Sequence, residues 1–180
     1  MVTSDSGSGN AAMIEVMDAL LPRDGQMRAE VTAHRGVVLV RTRLSSLTAH
    51  NMVLSSLPRH ISRVVPIEIE CEPDLAAITE CALAALEAKR PGSFMVRCRT
   101  RGSELSASEV ERAVGARIRE KTSRRVDLKE PDLVVHIEVI EDFAGVSALP
   151  AGLPISMKSV RDNIVSSMRY ILKRTGQSQR

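Results

Sequence analysis

The sequence predicts an α+β protein made of two halves and a C-terminal helix. Apolar residues recur at three- and four-residue spacing in five segments, which indicates helices, and alternate with polar residues in the segments between them, which indicates strands. The 180 residues, of which 43% are apolar, suffice to bury a core in one moderate domain or two small ones. We expect a first domain over residues 1–90, a second over 91–150 and a helix with a polar tail over 151–180.

The first half is predicted to be ferredoxin-like, because its elements follow the order helix, strand, strand, helix, strand. Only Met1–Ser4 remain for the first strand of that fold, so the half lacks a clear first strand. Turn and capping residues set the limits of the elements. The predicted elements are a helix over 11–21, strands over 27–34 and 37–44 about Arg35-Gly36, a helix over about 46–56 capped by Ser45 or Ser46, and a strand over 61–71.

The remaining elements follow the same two patterns. A capping box formed by Ser106 and Glu109 predicts the start of a helix that runs to about Lys121. The apolar face of the last helix is expected to complete the core of the second domain, or to dock onto a partner or a second copy. The predicted elements are helices over 73–88, 106–121 and 157–173 and strands over 93–102, 131–140 and 143–148.

Charge is distributed unevenly along the chain although its net value is only +3. Residues 89–125 hold 11 basic and 4 acidic side chains, a net charge of +7, and residues 151–180 hold 6 and 1, a net charge of +5. The blocks 1–88 and 126–150 carry −4 and −5. A basic block of this density favours an anionic partner such as nucleic acid. Aromatic content of 2% argues against single-strand binding by base stacking on aromatic rings.

Motifs for catalysis, cofactors and metals are absent from the sequence. No glycine-rich phosphate loop follows a strand, and no nucleophile elbow or zinc-protease motif is present. His136 and Glu138 face the same side of their strand, which fits a general base but more simply a surface polar pair. We therefore predict no catalytic residue and no cofactor. The acidic residues that crowd this region match no metal-ligand spacing and are interpreted as solvated strand ends: Asp127, Glu130, Asp132, Glu138, Glu141 and Asp142.

The three cysteines and the N-terminus indicate where the protein works. Cys71, Cys81 and Cys98 are an odd number without metal-ligand spacing, so we interpret them as buried structural thiols. Residues 1–10 have neither the basic region nor the apolar region of a signal peptide, and no run of apolar residues is long enough to span a membrane. The expected location is the cytoplasm, without a membrane partner.

A row of arginines is the strongest binding feature of the sequence. Arg97, Arg99 and Arg101 lie two residues apart, so on a strand all three point to one face while Phe94, Val96 and Cys98 point to the other. Such a row is about 14 Å long, and guanidinium forks bind phosphate with two hydrogen bonds. The following helix adds further basic residues, with two opposite its apolar stripe and others beside it or at its end: Arg112 and Arg119, then Arg117, Lys121, Arg124 and Arg125.

Three segments resemble a THUMP domain. They are Ser93–Gly102, then Val110-x-x-Ala113-Val114-Gly115, and then Val126-Asp127-Leu128-x-x-Pro131-Asp132 before a strand, which is the most specific part. The preceding half resembles the ferredoxin-like domain that accompanies THUMP in RNA-modifying proteins, so the resemblance covers about residues 11–149. The absent first strand departs from the family pattern.

This resemblance implies binding of tRNA near the acceptor stem and the single-stranded CCA end. The chain is similar to the stand-alone THUMP adaptors, which assist a tRNA cytidine acetyltransferase in making 4-acetylcytidine. We expect this type because the roughly thirty residues after Pro150 leave no room for a catalytic domain. The alternatives are the RNA-binding subunit of a split methylase or thiouridine synthase, and an interaction module without RNA affinity. The resemblance implies RNA contacts at Arg97, Arg99 and Arg101, and at Arg117, Lys121, Arg124 and Arg125; the oligomeric state stays open.

Overall fold

The computed structural model describes residues 1–4, 8–90, 92–153 and 155–177, which form two compact units. Unit 1 comprises Met1–Val65 and Pro154–Arg180, and unit 2 comprises Pro66–Leu153. In chain order the elements are β1 (Val2–Ser4), α1 (Gly9–Leu20), β2 (Arg28–Val31), β3 (Val37–Arg41), α2 (Ser46–Ser55), β4 (Ile61–Val64), β5 (Ile69–Cys71), α3 (Leu75–Glu87), β6 (Phe94–Arg101), α4 (Ala107–Lys121), β7 (Leu133–Ile140), β8 (Phe143–Pro150) and α5 (Met157–Gln177).

Unit 1 has the strand order β2-β3-β1-β4 with antiparallel neighbours. This is the ferredoxin-like arrangement, and the α+β fold class predicted from the sequence is confirmed. The expectation that the first strand is missing is wrong, because β1 pairs with β3 on one side and β4 on the other. Three residues suffice for a strand with two partners: Val2 pairs with Val38 and with Val64, and Val2 is buried in the core.

The single strand predicted over residues 61–71 is two strands that belong to different sheets. β4 ends at Val64 and pairs with β1, whereas β5 starts at Ile69 and pairs with β8. Pro66 lies between them, and a proline has no N–H to donate to a strand ladder. The strand pattern therefore continues in the sequence across the boundary between the two units.

Unit 2 has the strand order β5-β8-β7-β6, in which β6 and β7 are parallel and the other neighbours antiparallel. Helix α4 connects the two parallel strands, and α3 and α4 cover the apolar face of the sheet. The compact units divide the chain after Val65, whereas the sequence led us to expect a boundary at residue 90. The physical reason is that β5 and α3 pack with β8 and α4 rather than with unit 1.

Helix capping agrees with the sequence at one site and differs at another. Ser45 caps α2, because its side chain accepts a hydrogen bond from the Thr48 N–H. The capping box predicted at the start of α4 does not form: the Ser106 side chain makes no capping hydrogen bond and instead lies 3.0 Å from the Ser108 hydroxyl. The hydroxyl pair takes the place of the backbone partner.

Helix α5 packs in cis, but its first turn enters the core of unit 1 rather than that of unit 2. Met157 is buried and Val160 packs against the same core as Val2 and Val64. The predicted apolar stripe continues to Met168 and Ile171, whose side chains lie outside the described residues. Within the described part of the chain, no helix combines the length and apolar character that crossing a membrane would require.

Candidate nucleic-acid interface

Strand β6 is an edge strand, and its two faces differ in the way the sequence predicts. Phe94, Val96 and Cys98 lie in the core of unit 2, while Arg97 and Arg99 are exposed. Arg101 is different: its guanidinium donates a hydrogen bond to a Glu138 carboxylate oxygen at 2.8 Å, and its side chain is only 19% exposed. Two of the three arginines in the predicted row therefore face solvent, and the third is held by an ion pair.

The ion pair of Arg101 changes the interpretation of Glu138, the acidic residue of β7. Glu138 was expected on the surface, paired with His136, but it is 1% exposed. The burial of its carboxylate is accompanied by the ion pair with Arg101, whose guanidinium nitrogen lies 2.8 Å from the carboxylate oxygen. Glu138 is a structural anion of the sheet and not a solvated strand end.

The basic residues on and after α4 are partly engaged in the fold. Arg117 donates to Glu120 at 2.7 Å, which lowers the pKa of the Glu120 carboxyl. Lys121 is exposed. Arg125 is also exposed, with its nearest carboxylate oxygen, on Asp127, at 3.6 Å.

Arg124 has a structural role at the end of α3. Its guanidinium donates to three backbone carbonyl oxygens: Arg90 at 2.7 Å, Lys89 at 2.8 Å and Leu86 at 3.0 Å. The last carbonyls of a helix lack partners within the helix and carry partial negative charge, so a cation satisfies both needs. Three of the five N–H donors of the Arg124 guanidinium are therefore engaged within the fold.

The segment that carries the Val-Asp-Leu-x-x-Pro-Asp motif is fastened to the start of β6. Asp127 donates its backbone N–H to the Phe94 carbonyl, and its side chain accepts the N–H groups of Lys129 and Glu130. Asp132 accepts both the backbone N–H and the hydroxyl of Ser93, at 2.7 and 2.8 Å. These hydrogen bonds hold the pKa of both aspartate carboxyl groups below the usual value.

A groove lies between the edge strand β6 and helix α4, next to this segment. The groove has a volume of about 470 Å³. Val126 and Leu128 contribute apolar surface that is 38% and 69% exposed. The other lining residues come from β6 and from one stripe of α4: Phe94, Met95, Val96 and Arg97, then Ser108, Glu111, Arg112, Gly115, Ala116 and Arg119.

The groove brings Arg97 together with Arg112 and Arg119, which the sequence analysis did not include among the RNA-binding residues. Of the residues that the structure describes, none forms a hydrogen bond or ion pair with these three side chains, and all three are exposed. The lining positions of α4 are spaced by three or four residues, so the helical period is the signal that could have grouped the two arginines. The other predicted residues, Arg99, Arg101, Arg117, Lys121, Arg124 and Arg125, do not line the groove.

Glu111 is the one acidic residue among those that line the groove. Its Oε1 accepts the backbone N–H of Cys98 on the open edge of β6 at 2.9 Å.

Burial, followed by the charges of Glu111 and Glu138, raises the pKa of the Cys98 thiol to about 12, and burial likewise raises the pKa of Cys71 to about 12. A thiol with a raised pKa is a poorer nucleophile at neutral pH, so burial favours a structural role for both cysteines. Cys98 is buried as predicted, while Cys71 and Cys81 are half-buried.

A mixed four-stranded sheet with two helices on one face and an arginine-lined groove at its edge defines unit 2 as an α/β domain suited to anionic ligands. Residues 72–149 match the family model of the THUMP domain, so the chain contains a THUMP domain that forms most of unit 2. The match begins at residue 72, just before α3, rather than at residue 91, in keeping with the packing of that helix in unit 2.

Similar proteins match half of the chain or more. The chain is 33% identical over 92 residues to an uncharacterised protein of Methanocaldococcus jannaschii, covering 50% of this chain, and 36% identical over 127 residues to the tRNA sulfurtransferase of Salmonella typhi, covering 61%. It spans 26% of the length of each. The crystal structure of TrmN from Thermus thermophilus is similar at 26% identity and a TM-score of 0.62, over 87% of this chain and 46% of that one.

Proposed function

We propose that this protein is a non-catalytic tRNA-binding adaptor that presents the acceptor stem and CCA end of tRNA to a separate modification enzyme. The observation that carries the proposal is the groove in the THUMP domain, where Arg97, Arg112 and Arg119 have no partners among the residues that the structure describes. A similar protein, the sulfurtransferase of Salmonella typhi, is named for tRNA, which supports tRNA as the ligand class.

The chemistry of the groove fits a single strand. Guanidinium groups bind phosphate oxygens in pairs, and their positive charge attracts the RNA backbone from a distance. The exposed apolar surface of Val126 and Leu128 offers a base a place to leave water. A groove of about 470 Å³ is in the size range of small-ligand sites, so a chain end can enter it and a duplex remains outside.

The partner that we propose is a cytidine acetyltransferase making 4-acetylcytidine, on the basis of the resemblance to stand-alone THUMP adaptors. A second candidate is the RNA-binding part of a split thiouridine synthase, which the identity to a tRNA sulfurtransferase favours. Incubating the protein and tRNA with each enzyme, followed by mass spectrometry of the nucleosides, distinguishes them. Stimulated formation of 4-acetylcytidine supports the first, and stimulated formation of 4-thiouridine supports the second.

The binding function itself is tested by titrating the protein with full-length tRNA, with and without its CCA end, at two salt concentrations. Neutralised phosphates release counterions, so we expect affinity to fall steeply as salt rises, and to fall again when the CCA end is removed. No binding at low salt would contradict the proposal and favour an interaction module without RNA affinity. Binding that does not depend on the CCA end would contradict the proposed orientation of the tRNA.

A further inference from the structure

We propose that Glu111 reads the base that enters the groove and selects one that carries an exocyclic amino group, cytosine in the case of a CCA end. This inference rests on the proposed function and adds a specificity-determining residue to it. The groove would then bind RNA through two chemically different parts, with arginines for the phosphates and a fixed carboxylate for the base edge.

The fold holds the Glu111 carboxylate in place. Its Oε1 accepts the Cys98 N–H at 2.9 Å, which ties α4 to the open edge of β6. A glutamate normally loses considerable side-chain freedom when it binds a ligand. Here the fold has already restricted that freedom, so a hydrogen bond to the ligand costs less conformational entropy.

The second oxygen of the Glu111 carboxylate remains available to a ligand. Across residues 1–4, 8–90, 92–153 and 155–177, Glu111 forms no ion pair and accepts no hydrogen bond besides the one from Cys98. Arg97, Arg112 and Arg119 line the same groove, but among the described residues none of them forms an ion pair with Glu111. An uncompensated carboxylate repels phosphate, so a groove for phosphate alone would be better without it. The carboxylate favours a ligand that places a hydrogen-bond donor at this point.

The bases of RNA differ in the hydrogen-bond donors that they offer to the Glu111 carboxylate. An RNA base that lies on the apolar surface of Leu128 and beside Gly115 and Ala116 presents its Watson–Crick edge within the groove. Cytosine carries an amino group at N4, whereas uracil carries an oxygen at the equivalent position. A carboxylate accepts from the amino group and repels the oxygen, and discrimination of about 5- to 150-fold follows from one such contact.

The test uses the full chain and two labelled RNA tetranucleotides without adenine, UCCU and UUUU, in fluorescence-anisotropy titrations. We expect the wild type to bind UCCU about tenfold more tightly than UUUU. The two RNAs carry the same number of phosphates, so their affinity ratio should not change with salt. Equal binding of both RNAs by the wild type would overturn the inference and leave the proposed function intact. Binding of neither RNA, nor of tRNA, would overturn both.

The decisive variant is Glu111→Gln. Its amide oxygen keeps the hydrogen bond from Cys98, so the fold is preserved, and its amide nitrogen can donate to uracil. We expect tighter binding of UUUU and a ratio of the two affinities close to one. Glu109→Gln is the matched control, because Glu109 lies on the same helix outside the groove and should keep the wild-type ratio. An unchanged ratio in Glu111→Gln would show that the carboxylate only ties the helix to the strand, and would overturn the proposal.

Discussion

The two compact units carry opposite net charge, and the unit with the favourable charge is not the one with the groove. Unit 1 contains 13 basic and 6 acidic side chains, a net charge of +7, whereas unit 2 contains 12 and 16, a net charge of −4. The basic block of residues 89–125 thus belongs to a unit that is acidic as a whole. In unit 2 the acidic side chains engage some of the cations, and three of the other cations, Arg97, Arg112 and Arg119, line the groove.

This difference separates attraction from recognition. A net charge of +7 raises the local concentration of any polyanion near unit 1, without regard to its sequence. The groove of unit 2 adds what net charge lacks, namely a fixed arrangement of cations, apolar surface and one carboxylate. We therefore expect equal numbers of charges removed from the two units to have unequal effects on RNA binding.

The largest expected effect concerns the stability of unit 2. Arg124→Ala removes three charged hydrogen bonds to the end of α3, and we expect a loss of about 2–4 kcal/mol in the free energy of unfolding. Urea unfolding followed by circular dichroism measures this loss. Arg124→Lys keeps the charge but not the fork, so it should recover only part of the stability. A fully stable Arg124→Ala variant would mean that the carbonyls find water instead.

The next effect concerns the groove. Arg112→Ala combined with Arg119→Ala should weaken tRNA binding about tenfold or more, because two cations leave the candidate phosphate site. Filter binding at constant salt measures the change. The matched control is Arg117→Ala with Lys121→Ala on the same helix, outside the groove, for which we expect less than a threefold loss. A larger loss in the control pair would place the interface on the other side of α4.

A smaller effect is expected for two exposed cations of unit 1, Arg59 and Lys158. Replacing both by alanine should weaken binding about two- to threefold and lower the salt dependence. The loss should be equal for tRNA with and without its CCA end, because these charges attract the RNA backbone but do not recognise the CCA end. A loss confined to tRNA with an intact end would show that unit 1 also recognises the end.

The last effect is observed only on acidification and concerns the stability of unit 1. Asp24 accepts from the Thr42 hydroxyl, the Arg43 N–H and the Gln26 N–H, which lowers its pKa to about 2. A carboxyl with a lowered pKa binds fewer protons in the folded than in the unfolded state, so its contribution is present above pH 4 and lost towards pH 2. The melting temperatures of wild type and Asp24→Asn should converge over that range. A constant difference would contradict the assignment.

Local patterns predicted the elements well, because helical and strand periods report which side of each element is buried. The alternation along β6 and the hairpin at Gly36, which lies at φ +80°, are both present in the structure. Non-local choices were out of reach. The sequence could not indicate that residues 61–71 divide between two sheets, since each part has strand periodicity and only the pairing partners differ.

The candidate site shows the same limit more sharply. The spacing of Arg97, Arg99 and Arg101 predicted one row, but the sequence does not show that Glu138 is buried beside Arg101. Arg124 has the same chemistry as Arg119, and only the fold directs one to the end of a helix and the other to a groove. Residue type and spacing identified the basic region, and three-dimensional pairing decided which cations remain available.

The division of the chain has a consequence for the order in which the protein is made. Unit 2 is continuous in sequence, but unit 1 takes its last parts from after residue 153: Val64 donates its N–H to Ile155, Arg63 bridges to Ser156, and Met157 fills the core. A ribosome releases the chain from its N-terminus, and domains usually fold in that order. Here the unit that emerges first must wait for the other to be synthesised before it can close.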